Sequence, residues 1–193
     1  MIDKLNTKKY ILGSKSPRRK SLLEELGLKF SIETHNTDES YPSNLRPYEV
    51  AEYIAEQKAK AFANPDKNTI IITADTIVSL GDEILGKPID NKDGYKMLRK
   101  LSDESHHVTT GVCIRTIDSF HIFHSQTEVV FDVLTDEIIN KYLEISKPYD
   151  KAGAYGIQEW FGMIAVKEIK GSFYNVMGLP IHKLYNELNK LIS

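Results

Sequence analysis

The segment Ser14-Lys15-Ser16-Pro17-Arg18-Arg19 gathers hydroxyls, an ammonium and paired guanidiniums into one short stretch. It follows Tyr10-Ile11-Leu12, which reads as a short buried strand ending at Gly13. Ser16-Pro17 has the form of a helix start, with serine as N-cap and proline at the first helical position. Backbone N–H groups and the helix dipole favour an anion at such a place. Arginine adds a planar fork that grips phosphate, often bidentately. The glycine spacing and terminal Lys-Ser/Thr of a Walker loop are absent. A capped helix with solvated charges would leave the same local pattern, so the segment needs company to mean more.

Thr73-Ala74-Asp75-Thr76 supplies some. Asp75 follows the β-branched run Thr69 to Thr73, which reads as a strand buried on both faces with Asp75 at its end. A carboxylate there is costly unless it is paired or binds a metal, although an aspartate can also simply open a turn. Asp38-Glu39, in the loop after the second strand, offers oxygen ligands of the kind Mg²⁺ or Mn²⁺ prefers. Lys58, in a helix with Ala55, Ala59 and Ala61, and Lys87, in the tight turn Gly86-Lys87-Pro88, could each neutralise a polyphosphate. The segment Asp150 to Gln158 is rich in small residues that let backbone approach a ligand. Its Gln158 carries both a donor and an acceptor for the edge of a nucleobase. Gly171 to Val176 reads as another polar and aromatic loop.

The histidines suggest a metal site and then withdraw it. His106 and His107 are adjacent in a strand pattern, and His121 and His124 are three apart in another, so each pair points to opposite faces. Cys113 lies in an apolar strand pattern and reads as core.

These residues need elements to hold them. The helix from Pro17 carries Leu22, Leu23 and Leu26 on one face and stops at Gly27. Lys29 to Thr34 alternates like a strand, and Pro47 to Ala63 has helical spacing. Thr76 to Leu80 resumes an apolar strand before a Gly81-Asp82 turn, and Asn91 to Leu101 is a helix. His107–Ile117 and Phe120–Leu134 form a hairpin across Asp118-Ser119. Thr135 caps another helix with an acidic first turn. Met163 to Ile169 reads as a strand and Leu179 to Ile192 as a closing helix. Strands and helices mixed with a hairpin predict a mixed sheet.

Composition excludes other classes. A chain of 193 residues with a net charge of −2 lacks the basic excess of a dedicated nucleic-acid binder, so any anion site must be a local cluster of cations. One cysteine rules out an internal disulfide and a cysteine-rich zinc site, and suits a reducing compartment. No apolar run approaches the roughly 20 residues that span a bilayer, and Met1 to Lys9 lacks the apolar core of a signal peptide. The reading is a soluble cytoplasmic protein with no nucleic-acid or membrane partner.

In order along the chain, these segments resemble the Maf family of nucleotide pyrophosphatases nearly end to end. The resemblance rests on Ser14–Arg19, Asp38-Glu39, Gln57-Lys58-Ala59, Ala74-Asp75-Thr76 and Gly86-Lys87-Pro88. It continues through Leu101-Ser102 with His106, Val108, Thr110 and Gly111, then Asp150–Gln158, Gly171-Ser172, Asn175-Val176 and Gly178-Leu179-Pro180. It implies one Maf-like domain over residues 1–193 with an α/β fold related to the inosine-triphosphate pyrophosphatases. An elongated mixed β-sheet with flanking helices would form two lobes around a cleft. The implied reaction is hydrolysis of dTTP and UTP to the monophosphate and pyrophosphate, with a divalent cation (Mg²⁺ or Mn²⁺), and a role in clearing non-standard nucleotides is also implied. Asp75 matches the proton acceptor, and it would share the metal with Glu39. Arg18, Thr76 and Gln158 match the positions associated with dTTP and UTP, where a related 7-methyl-GTP subfamily carries other residues. Ser14, Arg19, Lys58 and Lys87 match further substrate-binding residues, and family members commonly form homodimers. The chain departs from the usual pattern at Lys15, where a small residue is usual, at Asp103, where glycine is common, and at Phe173, where tyrosine is usual. The competing reading is a nucleotide-binding regulator of cell division, since septum inhibition gave the family its name.

Overall fold

The computed structural model describes residues 2–192. Its elements are α1 (Ile2–Leu5), β1 (Lys9–Leu12), α2 (Pro17–Glu25), β2 (Phe30–Ile32), α3 (Pro47–Lys60), β3 (Thr69–Leu80), β4 (Glu83–Leu85) and α4 (Asn91–Leu101). They continue with β5 (Ser105–Arg115), β6 (Phe120–Phe131), α5 (Asp136–Ser146), a 3-10 turn (Ala152–Ala154), α6 (Trp160–Ala165), β7 (Val166–Lys170), α7 (Phe173–Met177) and α8 (Ile181–Ile192). No helix among the described residues is long and apolar enough to cross a membrane.

Among the described residues the strands form one seven-stranded sheet in the order β2-β1-β3-β5-β6-β7, with β4 on β3. β1 runs parallel to both β2 and β3, and helices α2 and α3 make the two connections. β4 on β3 and β7 on β6 are antiparallel. β5 and β6 are neighbours joined by a turn in which Thr116 N–H donates to the Ser119 carbonyl at 2.9 Å, the predicted hairpin. The fold is α/β with a mixed sheet flanked by helices.

Local chemistry sets the helix starts. Ser16 caps α2 with Pro17 following, as the sequence predicts. The Asp90 carboxylate accepts from Asp93 N–H at 2.7 Å to start α4, and Thr135 does the same for Ile138 N–H to start α5. At the start of α3 the Glu49 carboxylate reaches back to Arg46 N–H at 2.8 Å. Asp103 has φ +61°, a left-handed conformation that aspartate tolerates better than most residues.

The chain divides into two compact units. The first holds the residues up to Asp75, Thr110–Ser125 and those from Gly178 on. Inside it α1 packs on α8, and Leu12, Leu23, Val50, Ala55, Ile71 and Leu188 are among the buried residues. The second holds Thr76–Thr109 and Gln126–Met177 around its own core. Tyr142 stacks on Phe161 at 4.4 Å there, and Phe131 meets Tyr155 edge-on at 4.9 Å. His106 is fully buried in this core, and its Nε2 pairs with the Tyr155 hydroxyl at 2.8 Å.

Three expectations need correction. β3 does not stop at Asp75: the strand runs unbroken from Thr69 to Leu80, with Asp75 and Thr76 partly exposed between buried neighbours. Backbone pairing is indifferent to a polar side chain that has a partner, so the break in the apolar run is chemical and not conformational. The segment around Met163 forms helix α6, and the strand begins only at Val166. Met163 and Ile164 mimic a strand because they are apolar, but Met163 is among the most exposed residues of its type here. The supposed loop after Gly171 contains α7.

At Gly111 the backbone of Ala51 in α3 comes so near β5 that an added Cβ would lie 2.3 Å from the Ala51 carbonyl. Gly111→Ala is predicted to lower the unfolding free energy by about 1–3 kcal/mol or more, read from urea denaturation. Gly86→Ala, where the added Cβ meets nothing within 4 Å, should stay within about 0.5 kcal/mol of the parent.

Candidate active site

The site in the first unit is built from β3 and α3. Thr73 and Asp75 are two apart in a strand and share a face. The Thr73 hydroxyl donates to the Ala55 carbonyl of α3 at 2.6 Å, which sets the helix against the strand. Lys58 lies three residues further along α3, and its ammonium donates to Asp75 Oδ1 at 2.7 Å. The same ammonium is 2.8 Å from Glu39 Oε1, so Lys58 bridges two carboxylates. The side chains of Lys58 and Asp75 are 18% and 14% exposed, against 47% for Glu39, so the Lys58–Asp75 pair is the more shielded of the two. The ammonium offsets the desolvation of a carboxylate set in an apolar strand. Asp38 is directed elsewhere: it accepts from the Ser40 N–H and hydroxyl at 2.9 and 2.8 Å. Only Glu39 of the acidic pair reaches the site.

The basic loop closes on itself in the same unit. Gly13 N–H donates to the Ile72 carbonyl, anchoring the loop to β3. Arg19 is buried, donating through Nε to the Gly178 carbonyl at 2.7 Å and through Nη1 to Ser14 Oγ at 3.1 Å. Ser14 Oγ also accepts from Ser16 N–H at 3.3 Å. Burial lowers the Arg19 guanidinium from its ordinary value, while the charges of Asp75 and Glu39 raise it and that of Arg18 lowers it. Arg19 thus lies within electrostatic reach of both carboxylates. The Gly178 carbonyl was invisible to sequence reasoning, because nothing local marks a backbone acceptor 159 residues away from its donor.

Arg18 lies in α2 of the first unit, and Thr76, Lys87 and Gln158 lie in the second. Thr76 follows Asp75 in β3. Lys87 is exposed on its turn, which Gly153 N–H fastens by donating to the Gly86 carbonyl at 3.0 Å. That bond joins the Lys87 turn to the segment carrying Gln158. Gln158 is partly buried, and its Oε1 is buried with no hydrogen-bond partner among the described residues. His121 and His124 take separate partners, Glu187 and Glu52, each at 2.8 Å.

The donor set was weighed for a metal. Among the described residues no group of three or more His, Cys, Asp or Glu side chains is placed to hold an ion. Glu39 and Asp75 offer two carboxylates on one ammonium. Mg²⁺ is commonly held by one or two carboxylates plus waters and substrate phosphates, so this pair fits a hard cation that arrives with a polyphosphate.

If Lys58 and Asp75 stabilise one another, Lys58→Met and Asp75→Asn should each destabilise the fold by roughly 1–3 kcal/mol, and the double variant by less than the sum. A double-mutant cycle in urea is expected to return a coupling of at least about 1 kcal/mol, while Glu39→Gln, at the more exposed end, stays below about 1 kcal/mol.

The sequence profile described as "Maf-like protein" matches residues 9–191. A protein of Phocaeicola vulgatus named dTTP/UTP pyrophosphatase is 49% identical over 195 residues, covering 99% of this chain and all of its own. Proteins of the same name are 49% identical in Bacteroides thetaiotaomicron, covering 99% of this chain and 100% of its own, and 48% identical in Porphyromonas gingivalis, covering 97% and 96%. A solved structure of a HAM1 protein from Coxiella burnetii overlaps 64% of this chain and 73% of its own, with a TM-score of 0.43 and 12% identity. The matched span takes in the basic loop, the Lys58–Asp75 pair and the Gln158 segment, and the chain belongs to the Maf-like protein family.

Proposed function

We propose that the chain hydrolyses dTTP and UTP to the nucleoside monophosphate and pyrophosphate by attack of water at the α-phosphorus. The observation that carries this reading is Asp75, a carboxylate in the middle of an apolar strand, fastened by Lys58 beside Glu39. Relatives named dTTP/UTP pyrophosphatase, nearly half identical over the full length, support it. Asp75 orients the water and takes its proton as oxygen bonds to phosphorus. The bond from the α-phosphorus to the bridging oxygen breaks, and pyrophosphate leaves with that oxygen. Ser14, Arg18, Arg19, Lys58 and Lys87 bind the triphosphate, and the α2 N-terminus contributes its N–H groups and dipole. A divalent cation held by Glu39 and Asp75, Mg²⁺ or Mn²⁺, would add positive charge against the phosphate oxygens.

Thr76 and Gln158 are assigned to the base and sugar side of the substrate. Uracil and thymine present an acceptor at O4 and a donor at N3, and an amide can complement both. Cytosine presents the reverse, so a site with a fixed amide penalises it.

Asp75→Asn is predicted to reduce turnover by about 10²–10⁴ with the fold retained by circular dichroism; near-normal turnover would remove Asp75 from this role. Relative kcat/KM over dTTP, UTP, CTP and 7-methyl-GTP, with product identification, is expected to favour the first two and to release pyrophosphate. Nucleotide binding without product would favour the regulatory reading. Chelation by EDTA should stop turnover, and Mg²⁺ or Mn²⁺ should restore it.

A further inference from the structure

A glutamine amide is a poor discriminator on its own. Turned over about its last torsion, it presents its donor where its acceptor was and suits cytosine as well as uracil. Selecting between them requires something that holds the amide one way round. The second unit contains such a device beside Gln158, centred on Tyr142 and Glu159, which neither the family resemblance nor the proposed reaction uses.

The Glu159 carboxylate is held at both oxygens. Tyr142, from α5, donates its hydroxyl to Oε2 at 2.6 Å. Lys151, almost wholly buried, places its ammonium 3.2 Å from Oε1, and it also donates to Asp150 at 2.8 Å. The Tyr142 oxygen in turn accepts from Gly156 N–H at 3.1 Å, and Glu159 N–H donates to the Gly156 carbonyl at 3.1 Å. The chain on either side of Gln158 is therefore fastened to one carboxylate. Burial, followed by the Glu159 carboxylate, pushes the Tyr142 phenol well above its ordinary value, so it remains a donor. Tyr142 is itself fixed by stacking on Phe161.

The amide is oriented by the same group. A Cβ built on Gly156 would lie 2.8 Å from Glu159 Oε1 and 3.2 Å from Gln158 Nε2, so both atoms close over the bare glycine. The amide NH₂ and the carboxylate thus share the bare face of Gly156, while Gln158 Oε1 is buried with no partner among the described residues. Turning the amide over would bring its oxygen towards a carboxylate, and two negative ends repel.

We infer that Glu159, held by Tyr142 and Lys151, is a positioning residue that fixes the orientation of the Gln158 amide and thereby makes the enzyme prefer uracil and thymine over cytosine. This rests on the reading of Gln158 as the base-recognising residue. Glu159 touches no substrate and acts only through its neighbour.

The test measures kcat and KM for UTP and CTP in the full chain with Glu159→Gln, Tyr142→Phe and Gln158→Ala. Both positioning variants are near-isosteric. The UTP-over-CTP ratio of kcat/KM is expected to fall at least ~10-fold in Glu159→Gln and in Tyr142→Phe, mainly by a rise in KM for UTP and a fall in KM for CTP. A structural role alone would lower both substrates together and leave the ratio in place, and that result overturns the inference. Gln158→Ala separates the two layers. If it keeps the ratio, the base-reading role of Gln158 fails first. If it collapses the ratio while Glu159→Gln and Tyr142→Phe retain it, the positioning role alone fails. Either positioning variant decides the matter if the other does not fold, and loss of folding in both would assign Glu159 to stability and overturn the inference.

Discussion

The Lys58 ammonium stands between Glu39 and Asp75, and much of the first unit can be understood as the means of keeping it there. A carboxylate in the middle of an apolar strand is tolerable only with a counter-charge at contact distance. That counter-charge must come from a neighbouring element, because residues next to Asp75 in β3 point to the other face or lie more than a side chain away. Helix α3 supplies it, and the Thr73 hydroxyl on the Ala55 carbonyl holds the helix at the required register. Close approach of Ala51 to Gly111 seats the same helix on β5. The ion pair and the packing thus demand one another: a helix displaced by a turn would leave the carboxylate without its cation.

The basic loop uses its charges in two ways. Arg19 is drawn inward, donating to Ser14 and to the Gly178 carbonyl, and so frames the loop from which, in the proposed reaction, it meets the substrate. The backbone that emerges from that frame is the N-terminus of α2, where N–H groups suit an anion. A protein with a net charge of −2 can concentrate cations locally in this way without becoming a general polyanion binder. Placing one arginine in the interior also spares the site the conformational entropy of ordering two long side chains when substrate arrives.

In the second unit the dominant constraint is hydrogen bonding without exposure. Lys151, Glu159 and Tyr142 form a chain in which every link has a partner, and it borders a glutamine whose carbonyl oxygen has none among the described residues. A satisfied network next to an unsatisfied acceptor is rigid, and the rigid part prevents the acceptor from finding a substitute within the protein. His106, which by sequence could have been a ligand, is instead absorbed into the aromatic core through the Tyr155 hydroxyl.

Much of this was legible in the sequence, and the division follows the range of the forces involved. Helix starts at Ser16, Asp90 and Thr135, the hairpin and the mixed sheet come from local capping, turn chemistry and hydrophobic period, all of which act within a few residues. Ser14, Arg19, Glu39, Lys58 and Asp75 stood out as candidates from charge set in apolar surroundings and from the family resemblance. Local pattern misled where polarity and conformation parted: Asp75 interrupts the apolar run of β3 but not the strand, and apolar Met163 and Ile164 sit on a helix. Which carboxylate of Asp38-Glu39 meets Lys58, which backbone carbonyl receives Arg19, and which end of the Gln158 amide lies against Gly156 were decided only by tertiary structure. Each of those is a contact between chain segments whose meeting depends on packing, or a choice between two orientations of one group, and neither leaves a mark on the order of residues.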